Sequence, residues 1–260
     1  LYPYIPNRIY TPPDALLSQY QAQLDNLGVQ RSVLVQPSIY GTDNRALLAA
    51  IKTNPLRFRG VAVVNWDISD TELEDLHRAG IRGVRCNIVD LAEAKGVLPI
   101  KQLTKLANQI APLGWHLEFL MHVNEFPDLA QLLSNFPVPI VLGHLGYLKT
   151  NLGVKDRGFQ NLLSLMREER AWVKLTGPYR ITSEARVPYA DTNPFAHALI
   201  AANSRQVIWG TDWPHPNLKD HMPDDGLLVD FIPHIASTSE LQRKLLVDNP
   251  MRLYWPEESN

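Results

Sequence analysis

The strongest constraint on the fold is an alternation that runs the length of the chain. Short apolar stretches rich in β-branched residues take turns with amphipathic stretches of helical period. The strand candidates are 32–38 (around Val33-Leu-Val35), Gly60–Asn65, Gly83–Asn87, His116–His122, Pro139–His144, Ala171–Gly177 and Val207–Asp212. The first helix candidate opens at Asp14 and runs to Leu27, with Gly28 as its stop. Further helices are predicted near 43–53, 69–80, 99–113, 125–135, 159–169 and 192–203, and two more near 225–235 and 239–248. Such a pattern makes parallel βαβ units with right-handed crossovers. The predicted class is therefore α/β, a TIM (β/α)8 barrel, as one domain over residues 1–260.

Seven strands are visible, where a closed barrel has eight. Residues 1–13 carry prolines at 3, 6, 12 and 13, so they form neither a helix nor a central strand. The first strand is accordingly expected upstream of Leu1. An open doubly wound sheet would instead place a glycine-rich phosphate turn after an early strand. Only Gly143-x-x-Gly146 approaches one, and the barrel is preferred.

Composition removes several function classes. The formal net charge is −2 with no block of Lys and Arg, so no nucleic-acid footprint is present. No apolar run approaches the roughly 18 residues of a membrane span. Cys86 is the one cysteine, which excludes an intrachain disulfide. With no export signal, a cytoplasmic protein is expected. Cys86 follows Arg85 within a strand, so the two point to opposite faces, and Cys86 reads as a small buried hydrophobe.

Chemistry in parallel barrels gathers at the carboxyl ends of the strands. There the sequence offers Ser38 and Tyr40, Arg85 and Asn87, His122, His144, Tyr179 and Arg180, and finally Asp212 and His215. Packing alone poorly explains two arginines, several histidines and an acid from separate strands. Arginine is rarely buried unpaired, and its planar fork suits a carboxylate. Each residue also has a plainer reading: Arg85 in an ion pair, Arg180 in solvent, Asp212 as a turn cap, His144 bonded to backbone. Ser38 lacks a Gly-x-Ser-x-Gly elbow, so a serine nucleophile is weakly supported. His77, His116, His197, His221 and His234 read as structural or surface residues.

These residues lie in stretches that resemble the amidohydrolase superfamily, in its lactonase branch. The stretches are 36–45, Gly80–Asn87, Gly114-Trp-His116, Gly143–Gly146, Trp172–Arg180 and, most specifically, Trp209-Gly-Thr-Asp-Trp-Pro-His-Pro-Asn217. The resemblance implies a (β/α)8 barrel that opens a small carboxylated lactone, such as a 2-pyrone-4,6-dicarboxylate or a muconolactone. It implies Asp212 as the group that activates water and His144 as the one that polarises the lactone carbonyl. Arg85 and Arg180 would hold carboxylates, with Ser38 lining the pocket. Tyr40, His122 and His215 are further substrate-binding candidates by their place at the strand ends. No cofactor is expected, and the partner is a small anionic lactone, with a homo-oligomer left open. The family's His-x-His pair on the first strand is not in this sequence. Nor does Asn87–Leu91 contain the arginine that the resemblance would place there, a loss of roughly 1.5–3 kcal/mol toward a carboxylate. Two other readings stay open. One is a zinc- or manganese-dependent hydrolase or decarboxylase with Asp212 and His144 as ligands. The other is a non-catalytic, carboxylate-binding barrel.

Overall fold

The computed structural model describes residues 2–89, 97–218 and 220–258. They fall into two compact units, one of 2–89, 98–119 and 136–139, the other of 97, 120–135, 140–218 and 220–258. Of the arginine-free stretch noted above, Asp90 and Leu91 lie outside the described residues.

In the first unit, α1 (Leu17–Asn26) leads into β1 (Ser32–Val35), followed by α2 (Arg45–Thr53), β2 (Phe58–Ala62), α3 (Asp70–Arg78), β3 (Ile81–Asn87), α4 (Ile100–Ile110) and β4 (His116–Leu120), whose last residue is counted with the second unit. β1 pairs with β2 in parallel from Ser32↔Phe58 to Val35↔Val61, and β2 pairs with β3 in parallel with a register shift at Gly60/Val61. Every residue of β2 is buried, as expected of a parallel strand covered on both faces. Sequence placed this strand two to three residues too late, because Val63 and Val64 prolong the apolar run past the ladder. α1 begins at Leu17 rather than at Asp14. The Leu16 amide donates to Gln19 Oε1 (2.9 Å), so a glutamine closes this end and Asp14 does not. α3 opens as expected on Ser69, whose hydroxyl accepts from the Glu72 amide while Glu72 accepts from the Ser69 amide.

The second unit contains α5 (Leu129–Leu133), β5 (Ile140–Leu142), α6 (Arg157–Arg167), β6 (Ala171–Thr176), α7 (Asn193–Asn203) and β7 (Val207–Gly210). α8 (Asp225–Asp230), α9 (Ile232–Ile235), α10 (Ser239–Arg243) and α11 (Asn249–Tyr254) complete it. β5 pairs with β6 and β6 with β7, both in parallel. α5 is much shorter than the helix expected over 125–135. Pro127 has no N–H to give and keeps Phe126 out of the helical region, so Val123–Glu125 form a separate 3-10 turn. That turn is clamped by α6: a Cβ on Gly158 would stand 1.9 Å from the Val123 carbonyl oxygen. The close approach fixes the backbone just after His122. Among the described residues, no helix is long and apolar enough to cross a membrane.

Candidate active site

In the second unit the functional candidates sit two to four residues past their strands. His122 follows β4 and His144 follows β5. Tyr179 and Arg180 lie in a 3-10 turn after β6, and Asp212 follows β7. The backbone there is unusual. His144, Leu145 and Tyr147 have φ of 50°, 55° and 55°, and Asp212 and His215 have φ of 63° and 56°. A non-glycine residue held in this left-handed region costs roughly 1–2 kcal/mol. Strain of this kind concentrates where side-chain aim matters more than backbone comfort.

Asp212 is the hub. Its Oδ2 accepts from the Tyr179 hydroxyl at 2.6 Å and from Arg180 Nε at 2.6 Å. Its Oδ1 stands 4.0 Å from His144 Nε2 and takes no hydrogen bond among the described residues. One carboxylate oxygen is thus anchored and the other is left for chemistry. Burial alone would raise this carboxyl, but His144, Arg180 and the Tyr179 hydroxyl hold it below the usual carboxylate range. Gly177 makes the grouping sterically feasible. At φ 54° its missing Cβ would meet Asp212 Oδ2 and His144 Nδ1, each at 3.0 Å.

Arg180 is mostly buried. Burial works against its charge, yet Asp212 beside it keeps the guanidinium protonated. Its Nη2 donates to the Pro216 carbonyl (3.2 Å), and Lys149 Nζ donates to the Arg180 carbonyl at 2.7 Å, which pins the turn. The third nitrogen, Nη1, has no partner among the described residues and can take an anionic oxygen. Burial drives His144 down to about 4, with Asp212 working in the opposite direction and Arg180 and Lys174 adding to the fall. At neutral pH the ring is therefore uncharged. Nδ1 lies 3.0 Å from Thr176 Oγ1 and 3.2 Å from the Thr176 carbonyl. With an ionised carboxylate facing Nε2, a proton there is favoured; Nδ1 then accepts from the Thr176 hydroxyl, and its contact with the Thr176 carbonyl is not a hydrogen bond. A neutral Nε2–H is a competent donor to a carbonyl oxygen that gathers charge.

This depressed value has a consequence for stability. Between about pH 6.5 and about pH 4 the unfolded chain binds a proton at His144 that the folded one refuses. Stability should therefore fall by up to about 3 kcal/mol as pH drops through that window. Urea midpoints at pH 7 and about pH 4.5 for wild type and His144→Gln check this. The drop should shrink in the variant, and equal drops in both would contradict it.

His122 belongs to the same group. Its Nδ1 donates to the Tyr147 carbonyl (3.0 Å), and the Tyr147 ring meets both His122 and His144 edge-on at 4.6 and 5.5 Å. His215 is buried. Its Nδ1 lies 2.9 Å from the Tyr179 hydroxyl, and its Nε2 stands 3.2 Å from Asp225 Oδ1. Sequence reasoning placed His215 in the pocket lining and passed over Asp225, Thr176 and Tyr147. The only hint of Asp225 was a second acid directly after the capping Asp224.

The remaining candidates belong to the first unit. Ser38 and Tyr40 bound a 3-10 turn after β1, which Gln36 ties down by donating to the Gly41 and Asp43 carbonyls. Arg85 Nη1 donates to the Gln36 carbonyl at 2.8 Å. Tyr40 packs against Tyr4 with ring centroids 5.2 Å apart. Cys86 is buried and its thiol is pushed up to about 12, by burial first and then by Glu118, so it offers no thiolate. Among the described residues, no three His, Cys, Asp or Glu side chains gather as a metal would require. Asp212 Oδ2 is moreover already bound to a guanidinium, a poor neighbour for a cation. The described donor set does not fit a metal.

Parallel strands that each deliver a polar residue to a buried acid define a hydrolase-type α/β site, and the amidohydrolase family model matches residues 1–255. This chain belongs to that family, and its fold is the family's α/β barrel class. It is 47% identical over 266 residues to a 2-pyrone-4,6-dicarboxylate hydrolase of Comamonas testosteroni, covering 99% of this chain and 86% of that one. It is 35% identical over 256 residues to a 4-sulfomuconolactone hydrolase of Rhizobium radiobacter, covering 98% and 85%. A crystal structure from Acinetobacter baumannii, of a probable 2-pyrone-4,6-dicarboxylic acid hydrolase with citric acid bound, superposes with a TM-score of 0.85. It shares 28% identity and covers 97% of this chain and 94% of that one.

Proposed function

We propose that this chain is a lactone hydrolase that opens a small ring bearing a carboxylate, in one barrel domain and without a metal. The observation that carries the reading is the asymmetry of Asp212: Oδ2 held by Tyr179 and Arg180, Oδ1 bare and 4.0 Å from His144 Nε2. That separation is too long for a direct hydrogen bond, and it is one that an oxygen in contact with both atoms spans. In the reaction, Asp212 Oδ1 takes a proton from water as the water oxygen attacks the lactone carbonyl carbon. His144 Nε2–H donates to the oxygen that becomes negative. Collapse breaks the ring C–O bond, and the proton on Asp212 passes to the leaving oxygen, so one water is consumed and a second acid is made. Arg180 Nη1 binds the ring's carboxylate and converts that binding into orientation. Arg85, Ser38 and Tyr40 are assigned to substrate binding on their chemistry, as a cation and two hydroxyls.

The relatives named above act on a dicarboxylate pyrone and on a sulfonated muconolactone, both anionic lactones by name. A hydrolysis screen tests the reading, with lactones of one ring size bearing a carboxylate, a sulfonate or no charge. Turnover of the carboxylated ring, and its loss when the charge is removed, is the expected result. A preference for the uncharged ring would overturn the assignment of Arg180.

A further inference from the structure

Behind Asp212 lies a buried polar chain that the reaction as written does not use. The Tyr179 hydroxyl has one proton and two neighbours, Asp212 Oδ2 at 2.6 Å and His215 Nδ1 at 2.9 Å. An ionised carboxylate can only accept, so the proton points at Asp212. The phenol oxygen must then accept from His215, which puts a proton on Nδ1. On the far side, Asp225 Oδ1 stands 3.2 Å from His215 Nε2; a carboxylate oxygen only accepts, so this contact orients the ring as an ion pair with a second ring proton on Nε2, off the line of a straight hydrogen bond. The side chains of His215 and Asp225 are only 3% and 5% exposed, so water does not carry this orientation for them. Burying these polar groups is expensive unless their arrangement is used. Asp225 comes from the first turn of α8, while His215 is held at φ 56° on the loop that carries Asp212.

We infer that Asp225 and His215 are positioning residues for the hydrolytic base: they lock the Tyr179 hydroxyl onto Asp212 Oδ2, and so keep Oδ1 as the oxygen that receives the proton from water. His215 in this arrangement touches no substrate. Without the lock, the phenol can turn its proton to the histidine, and Oδ2 is held by Arg180 Nε alone, so the carboxylate is less firmly fixed against His144. The inference rests on the lactone hydrolase reading for its catalytic consequence, but not for its geometry.

Two measurements separate these. In protein with 15N-labelled histidine, the His215 ring (identified by its loss in His215→Gln) should show Nδ1 protonated. Its signals should move in both Tyr179→Phe and Asp225→Asn. An unprotonated Nδ1, or a ring indifferent to both changes, overturns the lock whatever the protein hydrolyses. In steady-state hydrolysis of the carboxylated lactone, Asp225→Asn should lower kcat about tenfold with KM within about twofold, and Tyr179→Phe should lower kcat further. The double variant should be no slower than Tyr179→Phe alone, because the effect of Asp225 travels through that hydroxyl. Effects that multiply, or a change confined to KM, would overturn the positioning role. A wild type that opens no lactone defeats the functional reading alone, and the nitrogen signals still decide the lock.

Discussion

Asp212→Asn should leave a folded protein that binds its lactone and hardly opens it. An amide keeps an oxygen for Tyr179 and Arg180 to donate to, so the two 2.6 Å contacts survive in form. It has no basicity with which to take a proton from water. Loss of a general base typically costs 10²- to 10⁴-fold, and here the same group also returns the proton to the leaving oxygen. A fall in kcat of at least about 10³-fold is expected, read in a continuous assay of ring opening. Binding moves the other way. Arg180 loses its counter-charge, so the carboxylated lactone should bind as tightly as to wild type or tighter, by calorimetry. Hydrolysis near the wild-type rate would remove Asp212 from the base role.

Arg180→Met is the other large effect, and it reaches further than a lost substrate contact. The Arg180 and Asp212 side chains are 14% and 18% exposed, and removal of one partner of a buried pair leaves the other charge uncompensated. Such a break costs about 3–5 kcal/mol, so the urea midpoint should fall clearly while a cooperative transition remains. Without the guanidinium, burial again raises the Asp212 carboxyl, and the acidic limb of the kcat profile should move to higher pH. KM for the carboxylated lactone should rise as well, through the loss of Nη1. A variant with unchanged KM and an unmoved acidic limb would contradict both roles given to Arg180.

The alternation of apolar strand and amphipathic helix was legible because it is a local pattern, and the strands of both units follow it. Where structure and sequence pattern differ, local signals compete. Val63 and Val64 look like strand but lie beyond the ladder, and the helical pattern over 125–135 runs across Pro127, which breaks it. Asp212, His144 and Arg180 were legible as candidates because each stands just past a strand. Their wiring was not. Nothing in sequence tells that Arg180 turns Nε to Asp212 and leaves Nη1 over, or that His215 lies buried against the Tyr179 hydroxyl with Asp225 behind it. Those facts depend on left-handed backbone at 144–147, 212 and 215, a conformation that residue type alone does not announce for His, Leu, Tyr or Asp.

The position of the scissile carbonyl is the most direct test of the roles given to Asp212, His144 and Arg180. A crystal structure of the Asp212→Asn variant with a carboxylated lactone should place the carbonyl oxygen within hydrogen-bond distance of His144 Nε2. The carboxylate should lie on Arg180 Nη1, with a water between the position-212 side chain and the carbonyl carbon. A lactone whose carbonyl lies out of reach of both His144 and position 212 would contradict it.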